Sequence, residues 1–200
     1  MTVKIYVEGG AKNNKDANVR CKRGFSDYCS RLSPAGRLPQ VVACGSRSEA
    51  FKRFKTAVAN SKNGDQCALL VDSEGPVSPG TAPAHHLAAQ DKWSFESLPS
   101  DRVFLMVQAM EAWFFADRQA LADYYRKGFR PNALRGSDRD IESIAKSDLE
   151  QSLKDASVAT TKGPYRKARH GFDLLSEIDP RKVEAGSPHA ASFHAFLRSV

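Results

Sequence analysis

The segment Cys67-Ala68-Leu69-Leu70-Val71-Asp72-Ser73-Glu74-Gly75 decides the fold of this chain. Its first part, Cys67 to Val71, is uninterrupted apolar sequence, which is typical of a strand buried on both faces of a sheet. Side chains two residues apart on an extended backbone point the same way, so we expect Asp72 and Glu74 to direct two carboxylates at one point. In an open α/β sheet, that point is the crevice beyond the carboxyl ends of the strands, where ligands bind.

Three further segments have the composition of strands, and amphipathic helices separate most of them. The predicted strands are Val3 to Val7, Leu38 to Cys44 and Arg102 to Gln108. A helix is predicted from about Asp16 to Leu32, and Ser46 with Glu49 has the capping-box spacing at the start of another. This alternation predicts an α/β fold with a central parallel four-stranded sheet flanked by helices.

The second part of the chain contains helical patterns without strands. We predict helices at about Ser147 to Ala156, from Pro164 onward, and from Ser187-Pro188 onward. The predicted division is therefore an α/β core over residues 1–125 and a helical C-terminal extension over residues 126–200. We expect the extension to pack on the core, so that the chain forms one domain overall.

Charge and cysteine usage indicate the setting in which the protein works. The formal net charge of +7 favours an anionic partner such as nucleic acid, although a moderate positive charge also serves solubility alone. The four cysteines form no CxxC pair, and we expect them to be buried thiols in a reducing cytoplasm. The N-terminal residues do not have the pattern of a signal peptide, and no apolar run is long enough to span a bilayer.

Acidic residues follow three of the predicted strands. Glu8 follows the first strand, Asp72 and Glu74 follow the third, and Glu111 lies just beyond the fourth. Parallel strands bring these residues to one edge of the sheet, and Mg²⁺ prefers such oxygen ligands together with substrate phosphate. Each acid taken singly is better explained as a turn former or a helix cap. Their gathering at one edge favours a metal site formed by Glu8, Asp72 and Glu74, with Glu111 as a fourth catalytic candidate.

Other polar signals are weaker. Asp117 is better explained as the N-cap of a helix that starts at Arg118 than as a partner of Glu111 on one helix. His85-His86 lacks any cysteine at zinc-ligand spacing, so we reject a zinc site there. Because the chain contains no phosphate-binding G-x-x-x-x-G-K-[ST] loop, any ATP dependence would come from a partner protein.

Two basic clusters are candidates for nucleic-acid contacts. The first contains Lys162, Arg166, Lys167, Arg169 and His170, and the second contains Lys12, Lys15, Arg20, Lys22 and Arg23. Arg166, Arg169 and His170 have helical spacing and are predicted to share one helix face. Such a face can contact phosphates without choosing a sequence, but it can equally be a solvated helix surface. Our candidate nucleic-acid-binding residues are Lys12, Lys162, Arg166, Lys167, Arg169 and His170.

The chain resembles the Toprim catalytic fold, which is shared by topoisomerases, bacterial primases and the nucleases of the overcoming-lysogenization-defect family. The resemblance lies in Val7-Glu8-Gly9 after the first strand and in Asp72-x-Glu74 after a hydrophobic strand. The segments Met110-Glu111-Ala112-Trp113 and Tyr165-Arg166-Lys167-Ala168-Arg169-His170 more narrowly resemble a small stand-alone Toprim-like bacterial family. Members of that family are commonly encoded beside an ABC-type ATPase in phage-defence loci.

The resemblance implies phosphodiester chemistry that depends on Mg²⁺ or Mn²⁺. In this chemistry Glu8 is a general acid/base or metal ligand, Asp72 and Glu74 hold metal, and Glu111 assists. The resemblance does not imply whether the substrate is DNA or RNA, including tRNA. It suggests an ABC-type ATPase as a partner protein, and a homo-oligomer stays open. The usual second motif is Asp-x-Asp, so Glu74 is a departure that puts activity in doubt.

Two other functions remain open at this point. One is a catalytically silent Toprim-like module that binds nucleic acid or docks on an ATPase. The other is a phosphatase or nucleotide-binding switch that uses the same acidic edge.

Overall fold

A computed structural model of the protein describes residues 2–11, 13–33, 37–61 and 65–200. Within them lies one four-stranded sheet in the order β2-β1-β3-β4, whose strands are β1 Val3–Val7, β2 Gln40–Ala43, β3 Gln66–Asp72 and β4 Val103–Met106. Every neighbouring pair is parallel. The predicted α/β fold with a parallel four-stranded sheet is therefore confirmed, and each predicted strand is present with slightly different ends.

Nine α-helices within these ranges surround the sheet. They are α1 Lys15–Ser30, α2 Arg47–Ala59, α3 Pro83–Asp91, α4 Glu111–Phe115, α5 Arg118–Tyr125, α6 Lys146–Ser157, α7 Phe172–Glu177, α8 Pro180–Gly186 and α9 Pro188–Ser199. Several begin at caps that the sequence predicts. Ser46 accepts a hydrogen bond from the Glu49 N–H, Asp117 from Ala120, and Ser187 from Ala190. Each cap satisfies a backbone donor that the first turn of a helix leaves unpaired.

Both faces of the sheet are buried, which explains why β3 is apolar throughout. On one face Ile5, Leu70 and Phe104 belong to the larger core, which is completed by residues of α1, α4, α7 and α9. On the other face Leu69 and Leu105 pack with α2 and α3. The side chains of alternate residues in one strand thus pack in the two opposite cores, so neither face of the strand requires polar residues.

The helical C-terminal residues share the larger core with the sheet. Phe104 of β4 packs against Phe193 and Phe196 of α9, with ring centroids 5.4 and 5.2 Å apart. Trp113 stacks on Tyr28 of α1 at a centroid distance of 5.0 Å. Trp113, and with it Phe114 and Phe115, are fully buried, in agreement with their predicted place in the core.

The start of one predicted helix is wrong. Pro164 does not begin a helix; the chain stays irregular through Arg166, and a π-helical turn at Lys167–Gly171 leads directly into α7. The reason is tertiary, because Tyr165 is completely buried and its N–H donates to Ser157 Oγ at 2.8 Å. That anchoring prevents the segment from forming a regular helix.

Some sequence predictions fall wholly or partly outside the described residues, namely the turn at Asn63-Gly64 and the helix end at Ser33-Pro34-Ala35-Gly36. Among the residues that the structure describes, no helix is both long enough and apolar enough to cross a membrane. All four cysteines are buried and free, as the sequence predicts.

Candidate functional site

The candidate site lies where the sheet changes direction. The connection from β1 to β2 runs through α1 on one face, and the connection from β2 to β3 runs through α2 on the other. The crevice between β1 and β3 is therefore the switch point at which open α/β sheets bind ligands. Glu8 follows β1 and Asp72 ends β3, so both acids border this crevice. Glu8 Oε2 accepts a hydrogen bond from the Asp72 N–H at 3.2 Å.

Asp72 and Glu74 converge for a reason other than the predicted one. The strand ends at Asp72, and Glu74 has a left-handed backbone with φ 65°, so the two residues do not lie on a continuous extended chain. A turn redirects the Glu74 side chain instead. Positive φ is costly for a residue with a Cβ and is found where the surrounding structure enforces it, often at functional sites.

Ser73 enforces this turn. Its N–H donates to Met106 O at 3.0 Å, and its hydroxyl donates to Gly75 O at 2.5 Å. The same hydroxyl accepts from the Gln108 N–H at 2.7 Å, and His86 Nε2 donates to Ser73 O at 3.1 Å. The serine between the two acids thus connects the end of β3 to the end of β4 and to α3.

The three acids predicted to bind metal come together. One carboxylate oxygen from each of Glu8, Asp72 and Glu74 lies within 4.8 Å of the others. Two bonds of about 2.1 Å to a shared Mg²⁺ span about 4.2 Å, so small side-chain rotations suffice. With Glu111 these acids line a cavity of about 440 Å³. Hard oxygen donors at such spacing fit Mg²⁺ or Mn²⁺.

Glu111, the fourth predicted acid, is held in place by a tyrosine. Its Oε1 accepts a hydrogen bond from Tyr165 Oη at 2.9 Å, and only 7% of its side chain is exposed. Its Oε2 is buried without a hydrogen-bond partner among the described residues, although Lys167 Nζ lies 3.2 Å away at ion-pair distance. The sequence analysis named Tyr165 in a segment that carries the resemblance but assigned it no role at the site, because only the fold brings it to α4.

Lys167 lies at the centre of the acidic group. Its Nζ donates to Asp72 Oδ2 at 3.0 Å, and the other oxygen, Oδ1, accepts from the Met110 N–H at 2.8 Å. The sequence assigned Lys167 to a basic surface for nucleic acid. In the folded protein it reaches into the cavity instead.

Two further cations, which the sequence analysis missed, contact the other acids. Arg47 Nε lies 3.9 Å from Glu8 Oε2, while its terminal nitrogen donates to Asp91 at 2.6 Å. Lys146 Nζ pairs with Glu74. Arg47 could have been found, because the Ser46 cap starts α2 directly beyond β2, at the same edge of the sheet. Lys146 has no comparable signal, since α6 reaches the site only through tertiary packing.

Burial and neighbouring charges shift the protonation equilibria. Burial, and next the charge of Asp72, raise the pKa of Glu8 to about 7. Burial also raises the pKa of Asp72, although Lys167 opposes that rise. For Lys167, burial disfavours the charged form, but Asp72 and Glu111 outweigh it and raise its pKa above the usual range. In the metal-free protein Glu8 is therefore able to gain or lose a proton near neutral pH.

The remaining predicted nucleic-acid residues occupy different places. Arg166 and Arg169 are exposed, while Lys162 is half-buried with its Nζ 4.2 Å from the centre of the Tyr124 ring. His170 is only 2% exposed, and its Nδ1 accepts from the Arg166 N–H at 3.0 Å. The predicted shared helix face of Arg166, Arg169 and His170 is wrong, because Arg166 precedes the π-helical turn and His170 points inward. Lys12 lies outside the described residues.

The fold brings the two basic clusters together. The guanidinium of Arg20 in α1 bonds to the carbonyl oxygen of Arg169 and to Asp173 Oδ2, the latter at 3.1 Å. Lys22 and Arg23 are exposed on the same helix. Positively charged residues from distant parts of the sequence therefore lie close together beside the cavity that Lys167 enters.

No curated protein and no solved structure matches this chain. A family model described as a domain of unknown function (DUF4276) matches residues 20–198. The match includes Asp72, Glu74, Glu111, Lys146 and Lys167, and it begins after Glu8. Because the match spans most of the sequence, the chain belongs to this DUF4276 family.

Proposed function

We propose that this protein is a metal-dependent, Toprim-like nuclease that cleaves phosphodiester bonds of DNA or RNA in the cytoplasm. The supporting observation is that Glu8, Asp72 and Glu74 present carboxylate oxygens within 4.8 Å of one another at the switch point of a parallel sheet. The resemblance to Toprim proteins further suggests a role as the effector of an anti-phage system with an ABC-type ATPase partner.

The acids have separate roles in this proposal. Glu8, Asp72 and Glu74 would hold Mg²⁺ or Mn²⁺, which supplies neutralisation of phosphate charge and activation of water when bound. In the alternative role that the resemblance implies, Glu8 would act as the general acid/base instead of as a metal ligand, and a pKa of about 7 is suitable for that role. Glu111 is oriented by Tyr165 and presents its second carboxylate oxygen toward the same cavity.

The cations of this surface would bind the polynucleotide. Arg166 and Arg169 are exposed next to Lys167, and Arg23 is exposed on α1, one helical turn after Arg20. Contacts of this type neutralise backbone phosphates and confer affinity without sequence preference. We therefore expect binding that weakens steeply with increasing salt.

A cleavage assay tests the proposal. Plasmid DNA, single-stranded DNA and total tRNA are incubated with the purified protein and with Mg²⁺ or Mn²⁺. Wild type is expected to cleave at least one of them, and Glu8→Gln and Asp72→Asn are expected to lower the rate by about 100-fold or more. Glu96→Gln, at an exposed acid outside the cavity, is the matched control and should cleave like wild type. Cleavage that persists in both Glu8→Gln and Asp72→Asn would contradict the proposal.

A second candidate, a catalytically silent module that binds nucleic acid or docks on an ATPase, is favoured by a specific observation. Lys167 pairs with Asp72 and Glu111, and Lys146 pairs with Glu74, so the acids are already charge-compensated. This candidate predicts salt-sensitive binding of labelled nucleic acid without cleavage under any divalent ion. Hydrolysis of small phosphate esters with indifference to polynucleotides would instead indicate a phosphatase.

A further inference from the structure

The ion pairs of Lys167 lie where a metal ligand is expected. Asp72 offers two oxygens, and Oδ1 is already used by the Met110 N–H at 2.8 Å. Oδ2 instead accepts a hydrogen bond from Lys167 Nζ at 3.0 Å. The same Nζ lies 3.2 Å from Glu111 Oε2. A cation of the chain itself therefore stands between two acids of the proposed site.

Burial of the two acids favours a nearby counter-charge, and Lys167 provides one. The Asp72 side chain is 2% exposed and that of Glu111 is 7% exposed. Two buried carboxylates without a counter-charge would be strongly unfavourable. The Lys167 side chain is 42% exposed, because it reaches the acids from the surface at the start of the π-helical turn. Its ammonium group can therefore swing into water without a change in the backbone.

We propose that Lys167 is an internal counter-cation that competes with the divalent ion for Asp72 and so sets the metal affinity of the site. This inference rests on the proposed function, because it takes the acids as metal ligands. A divalent ion held by Asp72 would replace Lys167 Nζ as the partner of Oδ2, and the exposed lysine side chain would then lie at the mouth of the cavity. Lys146, which pairs with the more exposed Glu74, has the same relationship to the third ligand.

The test measures how tightly Mn²⁺ binds to the whole chain in the absence of nucleic acid. The concentration of free Mn²⁺ is obtained from its electron paramagnetic resonance signal. Lys167→Met removes the competing charge and is expected to lower the Kd for Mn²⁺ by about tenfold or more. Lys127→Met removes one positive charge at an exposed position and is the control for net charge. It should change the Kd by less than about twofold, since exposed charges are screened. Asp72→Asn should abolish binding at the site.

The outcomes separate this inference from the proposed function. If wild type binds Mn²⁺ in a manner that requires Asp72, but Lys167→Met binds it equally or more weakly, the counter-cation role is wrong and the metal site stands. If neither protein binds Mn²⁺, both proposals fail.

Thermal unfolding is a second measurement that tests the counter-cation role of Lys167. Lys167→Met leaves buried acids unpaired, so its melting temperature should fall without metal, and Mn²⁺ should raise it more than it raises wild type. If Lys167→Met does not fold, Lys167→Gln, which removes the charge but keeps a hydrogen-bond donor for Asp72, takes its place with the same expected direction for Mn²⁺ affinity. An unchanged or lower affinity in Lys167→Gln would then overturn the proposal.

Discussion

At the scale of single residues, the turn Asp72-Ser73-Glu74 is the most constrained part of the site. Glu74 adopts φ 65°, a conformation that residues other than glycine, asparagine and aspartate rarely occupy. Gln108, which follows β4, has the same φ of 65°, and its N–H donates to Ser73 Oγ. Two unfavourable backbone conformations therefore meet at one buried serine, whose hydrogen bonds stabilise both.

Ser73→Ala tests this role. The substitution leaves the buried Gln108 N–H without its acceptor, so the free energy of unfolding should fall by about 1–3 kcal/mol, measured by urea denaturation. Mn²⁺ affinity should also fall, because the Glu74 turn loses its anchor. Ser30→Ala, which removes a hydroxyl bonded to Asp27 O at the exposed end of α1, should stay within about 0.5 kcal/mol of wild type. A Ser73→Ala protein with wild-type stability and metal binding would disprove the role.

His194, which is outside the candidate site, makes the free energy of unfolding depend on pH. It is fully buried in α9, with Nε2 2.9 Å from Tyr28 Oη and Nδ1 3.3 Å from Glu184, which also pairs with Arg198. Burial lowers the pKa of His194 to about 4, although Glu184 opposes this. The unfolded chain, whose His pKa is about 6.5, therefore takes up a proton first as the pH falls.

The contribution of His194 to stability should consequently be greatest above pH 6.5 and decrease as the pH falls toward 4. Glu8, whose pKa is raised to about 7, acts in the opposite direction, so the effect of His194 is read as the difference between wild type and a His194 variant. Between pH 7 and pH 5 the contribution of His194 is a loss of about 2 kcal/mol. Urea denaturation of wild type and His194→Gln at both pH values measures it. The variant should lose less stability over this interval than wild type does. Parallel losses in the two proteins would show that another group is responsible.

At the scale of elements, α1 and α7 approach unusually closely at a glycine. A methyl group added at Gly24 would lie 2.5 Å from the carbonyl oxygen of Phe172, which is backbone and cannot rotate away. This approach brings Arg20 to Arg169 and places the π-helical turn, with Lys167, over the site. The helix pair thus positions the lysine that enters the cavity.

Gly24→Ala should therefore destabilise the protein by about 1–3 kcal/mol, despite the better helix propensity of alanine. Equilibrium urea denaturation measures the change. Gly75→Ala is the matched control, because an added methyl there has nothing within 4 Å, and its stability should stay near that of wild type. Equal stability of the two variants would show that α1 and α7 can separate at little cost.

At the scale of the whole molecule, the helical residues after 125 complete the core instead of forming an appendage. Phe104 of β4 is covered by Phe193 and Phe196, and the same core extends from Ile5 to Leu197. The C-terminal residues also provide Lys146 and Lys167 to the site. Core and site therefore depend on both parts of the chain.

A chain that ends at Tyr125 should accordingly not fold on its own. We expect it to lack a cooperative thermal transition and to bind a hydrophobic dye, because one face of the sheet loses its cover. Far-UV and near-UV circular dichroism of residues 1–125 and of the full chain make the comparison. A sharp, cooperative transition in residues 1–125 would show that the first part is an independent domain.

Sequence features that act between neighbouring residues determine much of the fold of this protein. Apolar β3, the caps at Ser46, Asp117 and Ser187, and the strand–helix alternation predict the parallel sheet, because each depends on neighbours in the chain. Parallel strands place their carboxyl ends at one edge, so the sequence also predicts that Glu8 and Asp72 lie close together.

Only the tertiary structure decided the remainder of the site. The first residues of a predicted helix are irregular where Tyr165 is buried, and the π-helical turn that follows directs Lys167 inward to Asp72 instead of outward. The left-handed backbone of Glu74 is held by contacts to β4 and α3, and no local sequence pattern predicts these contacts. Long-range packing sets these features, because hydrogen bonds and ion pairs between distant segments outweigh the weak conformational preferences of a short stretch of chain.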